Sequence, residues 1–447
     1  MNRIVDYVDL LRSLVAIDTT NNPAQRQQPS RECPKYLQDQ FASLGLRTEL
    51  LSQDGYYSVL ALVGTGQPVT LLLAHFDVVP SGPSWNSKPF ELLIKNGLGY
   101  GRGTVDDKGN VVALLLTAQA IANQSLPGTI AFAVTGDEEI GGVRGAPGVR
   151  QWLDQRDNFP TYLVTADGQG MRIVTRRRNT CGFTITVPKR PNRVRGTPST
   201  HRFTTEIWGR ETRHAAYFAP GVDRHALLAA SSYLCENPDT LVAGLTGSFV
   251  KGNVVPDLVE LQCLDPGKPS KPTEYDANLT RLVRALLPIS RINFATGPSD
   301  FGITLCPNLL SGTGESWEVY FDGRAMTTDA KAVEAALQTA LAQHLTGVNY
   351  KATVHTGPAF MNTPETARLV QAAREVAQKL GLDSQPIELA GASDTRHFAV
   401  RPVQAIDYGP VGYGHHGANE HVVLASIPRT ANFYVQLVQA LHKRQKD

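Results

Sequence analysis

The sequence predicts a doubly wound α/β domain with a mostly parallel sheet, interrupted by an inserted α+β domain. Three observations carry this. Short apolar runs alternate with helical periodicities over residues 1–177 and again over 358–447, strands come in clusters between 178 and 357, and acids and histidines recur at strand ends. Alternation of strand and helix is what βαβ units require, whereas clustered strands belong to α+β packing. Residues 1–177 with 358–447 are therefore expected to form the first domain and 178–357 the insertion. A chain of 447 residues has room for both, at roughly 100–200 residues per domain.

In chain order, Ile4, Val8, Leu11 and Val15 recur at helical spacing, and Tyr36, Phe41 and Leu44 mark a second helix that ends near Gly45. The β-rich runs SVLALVG and TLLLAHFDVVP follow. The second is uniformly apolar up to His75, as suits a central strand covered on both faces. Gly97, Gly99, Gly101 and Gly103 make a turn before Asp106. NVVALLLTAQAIA then reads as a buried helix, TIAFAVTG and YLVTAD as strands, and ETARLVQAAREVAQKL (closed by Gly381) and ANFYVQLVQALHKR as late helices. Within the insertion TCGFTITV begins a strand, PKRPNRVRGTPST reads as a loop, and HAAYFAPGVDRHALLAASSYL suggests a helix. GSFVKGNVVPDLVELQCL and SWEVYFDGRAM read as further strands, and DAKAVEAALQTALAQHL as a helix. No tandem repeat is visible, although GNVVPDLVELQCLD and CPNLLSGTGESWEVYFD share a loose likeness.

Composition removes several functional classes. Apolar residues are 42% and charged residues 19%, which is globular usage rather than disorder. A net charge of +2 supplies no broad positive field, so no nucleic-acid partner is expected. The apolar stretch from Val111 to Ala122 falls short of the ~20 residues of a membrane span, and Asp6 and Asp9 interrupt what a secretory signal would need to be apolar. Five scattered cysteines without a Cys-x-x-Cys pair argue against a disulfide framework or a thiolate zinc site. A cytoplasmic protein is expected.

The chemistry-bearing residues follow the strands. His75-Phe76-Asp77 closes one strand, Asp106-Asp107 ends the glycine turn, Asp137-Glu138-Glu139 and Asp167 end two more strands, and His415-His416 sits in a Gly-rich loop near Glu420. A lone His or Asp at a strand end is most often a hydrogen-bonded neighbour or a helix cap. In an open α/β sheet, however, ligands bind beyond the carboxyl ends of the strands, so these groups should converge. Packed carboxylates repel one another unless cations intervene, and a donor set of imidazoles and carboxylates suits a zinc-like ion.

HFDVVP, GRGTVDDKG, GDEEIGG, the Asp of TADG and HGANEHV, in this order, resemble the co-catalytic zinc hydrolases. That family includes acetylornithine deacetylase, succinyl-diaminopimelate desuccinylase, aminoacylase, glutamate carboxypeptidase and the dinuclear dipeptidases. The resemblance spans nearly the whole chain, strongly over 65–170 and 358–447 and weakly between. It implies two zinc ions, replaceable by Co²⁺ or Mn²⁺. His75 and Asp167 would hold one, Glu139 and His416 the other, with Asp106 and a water or hydroxide bridging both. Glu138 would be the proton shuttle, and Asp77 would orient the His75 imidazole. The bond between Asp106 and Asp107 would be cis.

In the insertion, GRETRHAAYFAPGVDRHA resembles the family's lid segment, whose His polarises the scissile carbonyl across a dimer. His214 is the candidate, although Gly209 precedes it by five residues rather than the family's four, and His225 reads as a helix-surface residue. GASDTRHF resembles a substrate-binding loop in which Arg396 would clamp a carboxylate. Asn308 and Asn253 both resemble the lid asparagine, and Asn308 leads better into the following strand and helix. Arg176-Arg177-Arg178 reads as a solvated hinge face. The resemblance thus implies a zinc amidohydrolase that deacylates a small N-acyl amino acid with a free carboxylate, working as a homodimer through the lid. A dipeptidase or carboxypeptidase of the same family is the alternative, and a non-catalytic binding protein the remote one. Asp167 stands where the deacylases carry Glu, which leans towards the dipeptidases. The insertion also exceeds the usual lid, with 186–205 and 266–300 as additions.

Overall fold

The computed structural model describes residues 6–209, 213–266 and 271–443. Ile4 and Arg444, placed above in the first and last helices, lie outside them. The chain divides into two compact units, residues 1–177 with 358–447, and residues 178–357.

The first unit is built on a nine-stranded sheet. Its main order is Arg47–Gln53, Tyr56–Thr65, Gly128–Thr135, Val69–His75, Tyr162–Thr165, Gln404–Asp407, Ile173–Arg177 and Met361–Asn362, with Pro386–Leu389 pairing beside Ile173–Arg177. The central strand Val69–His75 is buried along its whole length. Its side chains alternate between two cores, Leu72 and Ala74 on one face, Leu71 and Leu73 on the other, as the period of two of a strand dictates. Helices Lys108–Ile121 and Ser426–Leu441 cover the first face, and Gly145–Asp154 covers the second. The sheet is mixed rather than mostly parallel. Gly128–Thr135, Val69–His75, Tyr162–Thr165 and Gln404–Asp407 run parallel to one another. The flanking strands turn antiparallel, because Arg47–Gln53 and Tyr56–Thr65 form a hairpin. Its two-residue turn has Asp54 at φ 51° and Gly55 at φ 82°, the Asp-Gly signature of a tight hairpin.

The second unit holds two four-stranded sheets over one continuous core. The first runs Leu241–Gly247, Leu258–Pro266, Pro191–Thr204, Pro272–Asp276, and the second Thr304–Thr313, Ser316–Ala325, Asn179–Pro188, Lys351–Thr356. Each places its second, third, first and fourth strands side by side, so the unit contains the same module twice. The repeat is nested, not tandem: one copy sits between the first strand of the other and the helix Ala277–Ile289 that follows. Two local expectations change here. PKRPNRVRGTPST is largely strand, because residues 191–195 pair with Pro272–Asp276 and residues 196–204 with Leu258–Pro266; its exposed polar residues hide the alternation that marks a half-buried strand. The helix expected from His214 begins only at Ala226, since Pro220 and Gly221 interrupt the earlier stretch.

Candidate metal centre

Because Gly128–Thr135, Val69–His75 and Tyr162–Thr165 are parallel neighbours in the sheet, their carboxyl ends share one rim. His75 is the last residue of its strand, Asp137 to Glu139 follow the next, and Asp167 follows the third. His75 is buried and its Nε2 lies 3.1 Å from Asp106 Oδ1. The other oxygen of Asp106 is 3.1 Å from His416 Nε2, which in turn is 3.0 Å from Glu139 Oε2. One ligand atom from each of His75, Asp106 and Asp167 falls within 4.8 Å of the others, and the same holds for Asp106, Glu139 and His416. Asp106 therefore stands between two three-residue clusters. Its bond to Asp107 is cis, and Asp107, which immediately precedes the helix Lys108–Ile121, accepts from the His75 N–H at 3.1 Å.

Asp77 organises the rim. Its carboxylate accepts from the Glu138 N–H at 3.1 Å, the Glu139 N–H at 3.2 Å and Asn21 Nδ2 at 2.9 Å. His75 Nδ1 approaches both its carbonyl, at 3.1 Å, and its carboxylate, at 3.4 Å. One side chain thus sets the ring plane of His75 and the turn that separates Glu138 from Glu139. Glu138 is not part of either three-residue cluster; its nearest cation is Arg396, 3.7 Å away.

The electrostatics is that of an anionic basin. Burial pushes Asp167 well above the ordinary carboxylate range, with Glu138 and Asp106 adding to the rise against Arg177. Burial also raises Glu138, against Arg396 and His75. Burial alone would lower both imidazoles, but carboxylates hold them well above their usual range: Asp106 and Asp77 for His75, Glu139 and Asp106 for His416. Asp106, opposed by burial, is carried well below its usual range by the two imidazoles. Glu139 Oε1 is buried with no hydrogen-bond partner. Two nitrogens, carboxylates and an orphaned oxygen fit a pair of divalent ions.

The remaining predicted residues fall as follows. Arg396 is nearly buried in the turn Asp394–His397 and donates to the Gly141 carbonyl at 2.8 Å, beside the Glu138 turn. In the second unit, His214 Nε2 lies 3.3 Å from Asn253 Nδ2, and its Nδ1 accepts from Ala216 N–H. Asn308 is fully buried, its Nδ2 donating to the Gly252 carbonyl at 2.6 Å and its Oδ1 3.3 Å from His225 Nε2. The asparagine beside His214 is therefore Asn253. His225 is not on a helix surface: it is buried and caps the helix Ala226–Glu236. Nor is the arginine run a solvated face. Arg177 is buried, ion-paired with Asp407, and donates to the Asp167 carbonyl at 2.8 Å; buried Arg178 donates to the Ala216 carbonyl at 2.9 Å. Arg210, Glu211 and Thr212 of the lid segment lie outside the described residues. Sequence reasoning missed Lys108, whose only signal is a cation directly after the acids Asp106 and Asp107. Lys108 is fully buried, donates to the Ile17 carbonyl at 2.9 Å, and is lowered by burial to about 8.

The comparisons bear on the whole chain. A succinyl-diaminopimelate desuccinylase of Xylella fastidiosa (strain M12) is 28% identical over 415 residues, covering 92% of this chain and 93% of the relative. An aminoacylhistidine dipeptidase from Vibrio alginolyticus superposes with a TM-score of 0.69 at 14% identity, over 98% of this chain and 97% of its own. A Bacillus subtilis protein described as a dinuclear metal binding peptidase from the M20 family superposes at 0.54 with 14% identity, over 97% and 96%. The sequence model of peptidase family M20/M25/M40 matches residues 71–440. With that match running from the central strand to the last helix, the chain is a hydrolase and belongs to peptidase family M20/M25/M40.

Proposed function

We propose that the protein is a dinuclear metal-dependent amidohydrolase that removes the acyl group from a small N-acyl amino acid. The observation that carries this reading is Asp106 held between His75 and His416, with Glu138 close by and outside the cluster. Zinc is the first choice of metal, with Co²⁺ or Mn²⁺ as substitutes. His75 and Asp167 would hold one ion, Glu139 and His416 the other, and Asp106 both. Bound there, the ions supply a water acidic enough to act as a nucleophile at neutral pH and polarise the scissile carbonyl.

The chain's own groups do the rest. Glu138, raised above the ordinary carboxylate range by burial, takes the proton from the attacking water and returns it to the leaving nitrogen. Asp77 keeps His75 in one tautomer and aims the Glu138–Glu139 turn. Arg396 binds the substrate carboxylate, and residues 178–357 serve as the lid. His214, supplied through a homodimer of lids, donates to the developing oxyanion, with Asn253 beside it in place of Asn308. The net charge of +2 supports a reading without nucleic-acid or membrane partners; among the described residues no helix is long and apolar enough to cross a membrane. A cytoplasmic setting accords with five free cysteines.

The desuccinylase relative supports the deacylase reading. Asp167 and the dipeptidase neighbour support the dipeptidase reading as the second choice. A panel of N-acetyl and N-succinyl amino acids beside unblocked dipeptides separates them. Turnover restricted to substrates with a free α-amine eliminates the deacylase, and absence of all hydrolysis with Zn²⁺, Co²⁺ or Mn²⁺ restored eliminates both.

A further inference from the structure

The stretch that carries Asp106 lies between the short strand Leu98–Tyr100 and the helix Lys108–Ile121 and consists of turns. What holds it comes from the far end of the chain. Glu420 is fully buried, and its Oε1 accepts from the N–H groups of Val105 at 3.0 Å and Asp106 at 3.1 Å. Its Oε2 accepts from the Gly103 N–H at 2.9 Å and from Arg102 Nη1 at 2.6 Å. The Glu420 carbonyl closes the set by accepting from the Gly101 N–H at 3.0 Å.

Arg102 is equally buried. Its Nη2 donates to the carbonyls of Pro80 and Ser81, each at 3.3 Å, and its guanidinium lies 5.3 Å from the centre of the Trp85 ring. A buried carboxylate is tolerated only when its charge is matched and its lone pairs are used. Both conditions are met, and the partners that meet them are the main chain leading into one candidate ligand. Glu420 itself lies four residues beyond another, His416. The Asn419 side chain reinforces the tie, accepting from the Asn86 N–H at 2.8 Å.

We propose that Glu420 is a positioning residue of the metal centre, presetting with Arg102 the main chain at Asp106 and locking it to the His416 loop before any cation binds. The proposal rests on the dinuclear reading. The two loops come from opposite ends of the sequence, and this tie fixes one against the other. Setting donors in place beforehand removes that ordering cost from the binding step. A plain fold support would lower stability but leave cation affinity alone in the folded protein.

The test compares the wild type with Glu420→Gln and Arg102→Lys. The first keeps size but turns an acceptor into a donor facing main-chain N–H groups. The second keeps the charge and loses the planar fork. Each metal-free protein, checked for folding by far-UV circular dichroism, is titrated with Zn²⁺ against a chromophoric chelator and with Co²⁺ by visible absorbance. The wild type should take two equivalents. Both variants should lose about 10–100-fold in affinity for at least one equivalent, with an altered Co²⁺ spectrum and a lower kcat at saturating metal but little change in KM. A folded Glu420→Gln with wild-type affinities and spectrum overturns the proposal; if that variant does not fold, the same result with Arg102→Lys does so. A wild type that takes up fewer than two cations defeats the dinuclear reading instead.

Discussion

His225 gives the second unit a sensitivity to acid whose size follows from its surroundings. The imidazole is buried, its Nδ1 accepts from the Leu227 N–H at 3.2 Å, and its Nε2 faces Asn308 Oδ1 at 3.3 Å. Accepting at Nδ1 fixes the neutral tautomer with the proton on Nε2. Burial lowers this group from 6.5 to about 4, against the bond to Asn308. The folded-state value is below the unfolded one, so between pH 6.5 and 4 the unfolded chain takes a proton that the folded chain refuses. Stability is complete above about 6.5 and is lost as the pH falls towards 4. At about 1.4 kcal/mol for each tenfold in proton affinity, the loss approaches 3 kcal/mol. His225→Asn keeps a capping oxygen, cannot titrate, and leaves Asn308 short of a partner, at a cost of about 1–3 kcal/mol at neutral pH. Urea unfolding of wild type and variant at pH 7 and pH 4.5 should show the variant weaker at pH 7 and the gap narrowing or reversing at pH 4.5. An equal loss in both proteins on acidification would refute the reasoning.

Other perturbations test the rest of the molecule. Glu138→Ala should lower kcat by about 10²–10⁴-fold while bound metal, measured by mass spectrometry, stays near the wild-type level; His416→Ala should lower both. Asp77→Asn forces an amide N–H₂ against one of its donors, so metal affinity should drop about 10–100-fold by competition titration. Gly168 comes so close to Tyr408 that an added Cβ would lie 2.4 Å from its nitrogen and 2.5 Å from its Cα. Gly168→Ala should therefore displace the neighbouring Asp167, lowering both the melting temperature and the metal content. Phe132, fully buried with its ring 5.8 Å from that of Phe41, should cost about 3–5 kcal/mol on replacement by Ala, read as a urea midpoint.

The α/β class and the family were legible because they are written locally. A short apolar run such as TLLLAH, closed by polar residues, suits a covered strand, and the polar residues that end such strands fall on one rim once the strands run parallel. What the sequence withheld depends on partners distant along the chain. Pro191–Thr204 looks like a loop because neither edge partner, Leu258–Pro266 or Pro272–Asp276, is near it in sequence. Arg177 and His225 look like surface residues because the acids and amides that satisfy them arrive from other strands and loops. The choice between Asn253 and Asn308 turned on burial, which two similar motifs cannot disclose.

The nested arrangement of the second unit also brings the two ends of its inner copy together, although both copies share one core. Arg190 and Ala277, which flank the inner copy, sit side by side: the Ala277 N–H donates to the Arg190 carbonyl and the Arg190 N–H to Asp276 Oδ2, both at 2.9 Å. A stretch whose termini already meet can be excised and the cut sealed by a bridge of a residue or two. The splice would carry away His214 and Asn253 together and leave every side chain on the rim of the first unit in the chain, so a single deletion would test the proposed oxyanion donor apart from the proposed cation ligands.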